Sequence, residues 1–220
     1  LHPRVRRQRQ MCIRDRVMTI FSALPLMFTC MTSFLRYTIV FSMLKTALGT
    51  QQVPPAIVLV GLSMILTIYT MNPVFQKMWA MGEPVYTKNG DIAMAMVEGS
   101  KPLKEFMMKQ TRQQDLTFFI EMSGAPKPNT PDDITIWQVA PAYIVSELKT
   151  AFEIGFVIFV PFIVLDLVVA NVLLALGMFM LSPTIISLPF KLLIFIAVDG
   201  WSMICLLYTS PSPRDGLLSR

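Results

Sequence analysis

Ionisable side chains set in apolar sequence are the first residues to read. Each costs about 2.5–3.5 kcal/mol at the centre of a membrane helix and is found there facing a partner or a water-filled cavity. Arg36, Asp166, Lys191 and Asp199 hold such positions. They could support a proton or ion path. They could equally form pairs that lock helices or subunits together, and that is the expectation here. Glu147, Lys149 and Glu153 form a second group. Lys149 lies one helical turn before Glu153, the spacing of a local ion pair. The sole histidine, His2, lies at the extreme start, so the rest of the chain has no imidazole for general-base, relay or metal chemistry. No glycine-rich phosphate loop or Walker-type lysine occurs. Asp132 and Asp133 are adjacent carboxylates in a loop, where helix capping and solvation explain them better than acid–base work. Neither an enzyme nor a bound cofactor is expected.

The elements that must position these charges are hydrophobic helices. Residues 77–153 carry most of the charge, whereas 17–35, 46–76 and 167–190 carry none. Such stretches reach the length of about 20 apolar residues that crosses a hydrocarbon layer. The predicted fold is all-α, of integral membrane type, with about four long helices in two hairpins. The first hairpin occupies residues 17–80, with helices over about 17–47 and 55–79. Gly49 ends the first helix and Pro73 kinks or ends the second. The second hairpin occupies 143–204, with helices over about 143–180 and from 185 onward. Between them, 81–142 is a polar, partly helical connection. Within it 102–122 reads as a helix with Leu103, Phe106 and Met107 on one face.

The two ends read differently. Residues 10–15 back-translate into CAG ATG TGT ATA AGA GAC, the mosaic end of a sequencing adapter. Residues 205–210 back-translate into TGT CTC TTA TAC ACA TCT, its reverse complement. Residues 1–16 and 205–220 are therefore expected to be adapter read-through. The chain has 19 basic and 14 acidic residues, net +5. The ends hold eight arginines and two aspartates, so the rest is slightly acidic and its charge does not point to nucleic acid. Cys30 is then the one remaining cysteine, and a small buried apolar residue is its simplest role.

Several motifs in order resemble one family. Residues 31–36 (MTSFLR) and 47–55 (ALGTQQVPP) resemble its first signature, and 102–107 (PLKEFM) its second. A third comprises 146–149 (SELK), 152–156 (FEIGF), Pro161-Phe162 and Asp166. Residues 176–178 (LGM), Ser182-Pro183, 186–191 (ISLPFK) and 199–201 (DGW) complete it. This chain is identified as resembling the FliP/SctR family of type III secretion export-gate proteins, FliP in flagella and SctR in injectisomes. Residues 102–112 look flagellar. Residues 51–55, 152–156 and 166–189 look closer to the injectisome branch, to which the balance falls.

The resemblance implies a bacterial inner-membrane protein within the secretion basal body. Several copies would form a helical ring with FliQ/SctS-like and FliR/SctT-like subunits around a pore for unfolded secreted proteins. It implies contacts between subunits around Glu147, Lys149 and Glu153. It further implies that Met178, Phe179 and Met180 project into the pore as a gasket, with Phe179 where the family commonly has a third methionine. Spacing alone leaves a helix–helix seam open for Met178 and Met180. The competing functions are a proton- or ion-conducting transporter subunit and a membrane scaffold without a pore of its own. In either export role, large apolar helix faces are expected to remain exposed on the single subunit.

Overall fold

The computed structural model describes residues 18, 22, 25–50, 54–90, 92–124, 128, 130 and 133–202. The terminal stretches read as adapter, and Asp132, lie outside them. The described residues are helical, without strands. In chain order the helices are α1 (Pro25–Met31), α2 (Phe34–Ala47), α3 (Ala56–Asn89), α4 (Ile92–Gln110), α5 (Gln113–Met122), α6 (Ile136–Ala175) and α7 (Pro183–Ala197). The all-α, membrane-type expectation holds. α3 and α6 are long and apolar enough to cross a membrane, and α1 with α2 passes the same test as a bent pair.

Element boundaries differ from the sequence reading at several points. The first hydrophobic helix is not continuous, for α1 and α2 meet at a 79° bend. Thr32 explains the break. Its hydroxyl donates to the Phe28 carbonyl at 2.7 Å and receives the Phe34 N–H at 3.4 Å, so one side chain serves both helix ends. α3 runs through Pro73 and Pro84 rather than stopping near residue 79. It continues because its later part packs closely on α4. A Cβ on Gly82 would lie 3.3 Å from the Ala95 carbonyl oxygen, and one on Gly99 would lie 3.3 Å from that of Met78. Two glycines thus let the backbones approach as in membrane helix pairs. The polar helix predicted over 102–122 is two helices, with Pro102 inside α4 and a break at Thr111–Arg112. α6 begins at Ile136, seven residues before the expected start, and passes through Pro161.

The described chain forms two compact units. The first comprises residues up to Tyr37 with Ser63–Thr150, and the second comprises Thr38–Leu62 with the residues from Ala151 onward. The core of the first unit gathers Met31, Met107, Ile120, Ile134, Val139 and Tyr143. Leu103 and Phe106 pack against it, and Met107 is fully buried, as the helical spacing of the three predicted. In the second unit Val40, Phe41 and Leu44 of α2 are buried, and Trp201 meets Phe195 edge-on with ring centroids 5.4 Å apart.

Much apolar surface stays uncovered. Of the apolar stretch that could cross a membrane, 11% is buried in α6 and 22% in α3. Phe156, Val157, Leu167 and Val168 of α6 and Ile185, Leu193 and Ile196 of α7 are all exposed. This is the exposure expected of a subunit built to be covered by lipid or by other chains.

Candidate functional site

The polar layer of the first unit forms where three helices meet. Arg36 of α2 lays its guanidinium against the Glu147 carboxylate of α6. Its Nε donates to Glu147 Oε2 at 2.7 Å and its Nη2 donates to Oε1. Nη2 also donates to Gln110 Oε1 of α4 at 3.1 Å. The Glu147 side chain is fully buried and that of Arg36 is 17% exposed. A two-pronged guanidinium–carboxylate contact fixes orientation as well as charge. The pair ties α2 to α6, and Glu147 is a partner for Arg36 that spacing along the sequence does not identify.

Immediately before Glu147 in α6, Ser146 fills the break between α4 and α5. Its hydroxyl receives the Arg112 N–H at 3.0 Å and donates to the Gln110 carbonyl at 3.3 Å. The next charge, Lys149, donates from Nζ to Asp115 Oδ1 of α5. This corrects the expected pairing of Lys149 with Glu153 along α6. The physical reason is burial: the Asp115 side chain is only 9% exposed and needs a cation, whereas Glu153 sits on an exposed face. Gln110, Asp115 and Ser146 had no marked role in the sequence reading. Asp115 stood among many charges in a polar segment, and only its place on the inner face of α5 distinguishes it.

The second unit holds a separate cluster. Asp166 of α6 accepts from two donors on α7. The Ser187 hydroxyl bonds to Oδ1, and Lys191 Nζ bonds to Oδ2 at 2.7 Å. Lys191 also donates to the main-chain oxygen of Ala47 at 3.2 Å, capping the last turn of α2. Ser187 is fully buried and Lys191 is 2% exposed. Two of the four charges singled out by their apolar surroundings thus neutralise each other.

Asp199 does not join them. It is exposed in the turn after α7, with φ of 51°, a left-handed conformation that aspartate tolerates better than most residues. The turn it makes brings Trp201 back onto Phe195.

The connection from α6 to α7 carries Met178, Phe179 and Met180. Two residues past the end of α6 stands Gly177, whose φ of +72° suits glycine. The Gly177 N–H bonds to the Leu174 carbonyl at 3.0 Å, and the Met178 N–H to that of Leu173 at 2.9 Å. This pair of bonds is the Schellman helix end. Beyond it Met178 is 48% exposed, Phe179 77% and Met180 99%. The three side chains do not fill a seam within this chain. Among the described residues no group of three or more potential metal ligands occurs.

Apolar helices, two of them long enough to cross a membrane, and buried ion pairs that tie helix to helix define a membrane-type, all-helical protein. Comparison with known proteins narrows the class. The FliP family model matches residues 17–207. The chain is 44% identical over 189 residues to the flagellar biosynthetic protein FliP of Bacillus subtilis, covering 86% of each protein. It is 46% identical over 187 residues to FliP of Buchnera aphidicola, 84% of this chain but only 52% of that protein. It is also 41% identical over 193 residues to Yop proteins translocation protein R of Yersinia pestis, of which it covers 89%. The chain belongs to the FliP family. Identity to both branches is of the same order, so the lean toward the injectisome drawn from single motifs gains no support from it.

Proposed function

We propose that this chain, a type III secretion export-gate subunit, lines the secretion conduit and helps to seal it. Several copies assemble with FliQ/SctS-like and FliR/SctT-like subunits in the bacterial inner membrane. Unfolded secreted proteins are the cargo. Met178, Phe179 and Met180 of each copy form an apolar ring that stays shut when idle and yields to a passing chain.

The observation that carries this reading is the turn itself. Three large apolar side chains stand uncovered on a connection whose helix end is fixed by two backbone bonds. A narrow hydrophobic constriction tends to dewet and so holds back ions. Methionine suits a seal that must deform, being unbranched and polarizable, and Phe179 makes this ring stiffer. A scaffold role leaves the exposed tips without a purpose. The transporter alternative draws only on the intramembrane charges, and Arg36, Glu147, Asp166 and Lys191 are engaged in pairs. The chemistry of these residues offers no catalytic step.

The test is the double substitution Met178→Ala with Met180→Ala. Cells carrying it are expected to leak small ions through the assembled gate, with depressed membrane potential and poor growth in high salt, while still secreting some substrate. Normal assembly, an intact membrane potential and normal secretion together would show that the ring is not built from these residues.

A further inference from the structure

We infer that the Asp166–Ser187–Lys191 cluster is a positioning device for the Met178–Met180 turn, setting how far its apolar tips project. This rests on the sealing role proposed above.

The turn cannot hold itself in place. Its backbone bonds are local, from Gly177 and Met178 back to α6, from Phe179 to Gly177, and from Ile185 to Ser182. Its outermost side chain, Met180, is almost wholly bare. What aims the turn is therefore the way α6 and α7 are joined at its base. The joint lies at Asp166, nine residues or about 13 Å before the end of α6.

Each Asp166 oxygen takes one donor from α7, Ser187 on Oδ1 and Lys191 on Oδ2. Those donors are four residues apart, on one face of α7. A carboxylate gripping two successive turns fixes both the separation of the helices and the rotation of α7 about its own axis. Lys191 adds a third tie, to the end of α2 through the Ala47 carbonyl. With α6 and α7 locked in this way, the seven residues between Ala175 and Pro183 have fixed end points.

The experiment uses the assembled gate complex with two variants, Asp166→Asn and Ser187→Ala. The first keeps a neutral acceptor for one donor; the second removes the Ser187 hydroxyl, with its bond to Asp166 and its 3.2 Å contact to the Thr184 carbonyl within α7, and leaves the ion pair intact. Hydrogen exchange is followed for the peptide spanning residues 173–182, and ion leak is measured in the idle state. Exchange in that peptide is expected to rise about tenfold in Asp166→Asn and by a smaller factor in Ser187→Ala, with exchange elsewhere unchanged. An idle leak should accompany it at normal complex yield. If the Asp166→Asn complex cannot be recovered, Ser187→Ala decides. Unchanged exchange of the turn in a complex of normal yield overturns the inference, as does a rise shared equally by all helices. So does a loosened turn without leak in a gate that Met178→Ala with Met180→Ala makes leaky. A tight seal in that methionine double variant, beside faster turn exchange in Asp166→Asn, refutes the sealing role and leaves the positioning of the turn standing.

Discussion

The hydroxyl of Ser146 serves Arg112 and Gln110 at once. It accepts the Arg112 N–H at 3.0 Å and donates to the Gln110 carbonyl at 3.3 Å, so one α6 side chain satisfies the end of α4 and the start of α5. Ser146 is fully buried, and water has no ready access to replace it. Ser146→Ala leaves a backbone donor and acceptor without that partner. A loss of about 1–3 kcal/mol is expected. Thermal unfolding of the purified protein in detergent measures it, and an unchanged midpoint would argue that the break between α4 and α5 is held elsewhere.

Arg36 and Glu147 give a graded prediction. Arg36→Met strands a fully buried carboxylate and should cost about 3–5 kcal/mol. Arg36→Lys keeps the charge but loses the two-pronged geometry, and should fall between wild type and Arg36→Met. Adding Glu147→Leu to Arg36→Met removes the stranded charge and should recover much of the loss. Steady-state protein level in cells and melting in detergent report the order. If Arg36→Met with Glu147→Leu is no better than Arg36→Met alone, the pair is not the source of the effect.

These two cases also mark what sequence could say. Arg36 is conspicuous because 17–35 and 46–76 carry no charge, so an arginine there is expected to face a partner or a water-filled cavity. Its partner lies 111 residues away, and no local periodicity encodes that distance. Asp166 and Lys191 were conspicuous for the same reason. The all-helical, membrane-type fold followed from the length of the apolar stretches. The helix ends were less legible. Pro73 and Pro84 are strong stop signals in water, but α3 packs against α4 through Gly82 and Gly99, and tertiary contact overrode them. Thr32 is a weak signal, yet its hydroxyl ends one helix and starts the next. Lys149 looked like a local pair because i,i+4 spacing is all that one helix shows, whereas Asp115 belongs to another.

The Lys149–Asp115 bond supports a charge-exchange test. Lys149→Glu places two carboxylates together and should lower both stability and co-purification of sister subunits. Asp115→Lys with Lys149→Glu restores the pair with its sign reversed. A coupling of about 0.5–3 kcal/mol is expected from the full cycle. Stability restored without recovered co-purification would show that Lys149 also serves a contact between subunits. No coupling at all would remove the intramolecular pair as an explanation.

Gly155 of α6 makes room for Met43 of α2. A Cβ at that position would fall on the Met43 sulfur, and the Met43 Cβ lies 3.3 Å from it. Gly155→Val should destabilise the protein by about 1–3 kcal/mol through overpacking. Met43→Ala in the same chain should return most of that loss. If it fails to, the glycine is needed for its backbone rather than for the space above it.

The bond from Lys191 to Asp166 spans 25 residues, and this imposes a rule on chain length as well as on residue type. Inserting one residue between Pro183 and Lys191 would turn the lysine by about 100° around α7 and carry it off the carboxylate. The same insertion between Gly177 and Ser182 would leave every donor on its face. Natural variants should therefore reject indels between Pro183 and Lys191. Single-residue insertions placed in turn along residues 181–195, scored for complex yield, would show an abrupt loss on entering α7 that ends beyond Lys191.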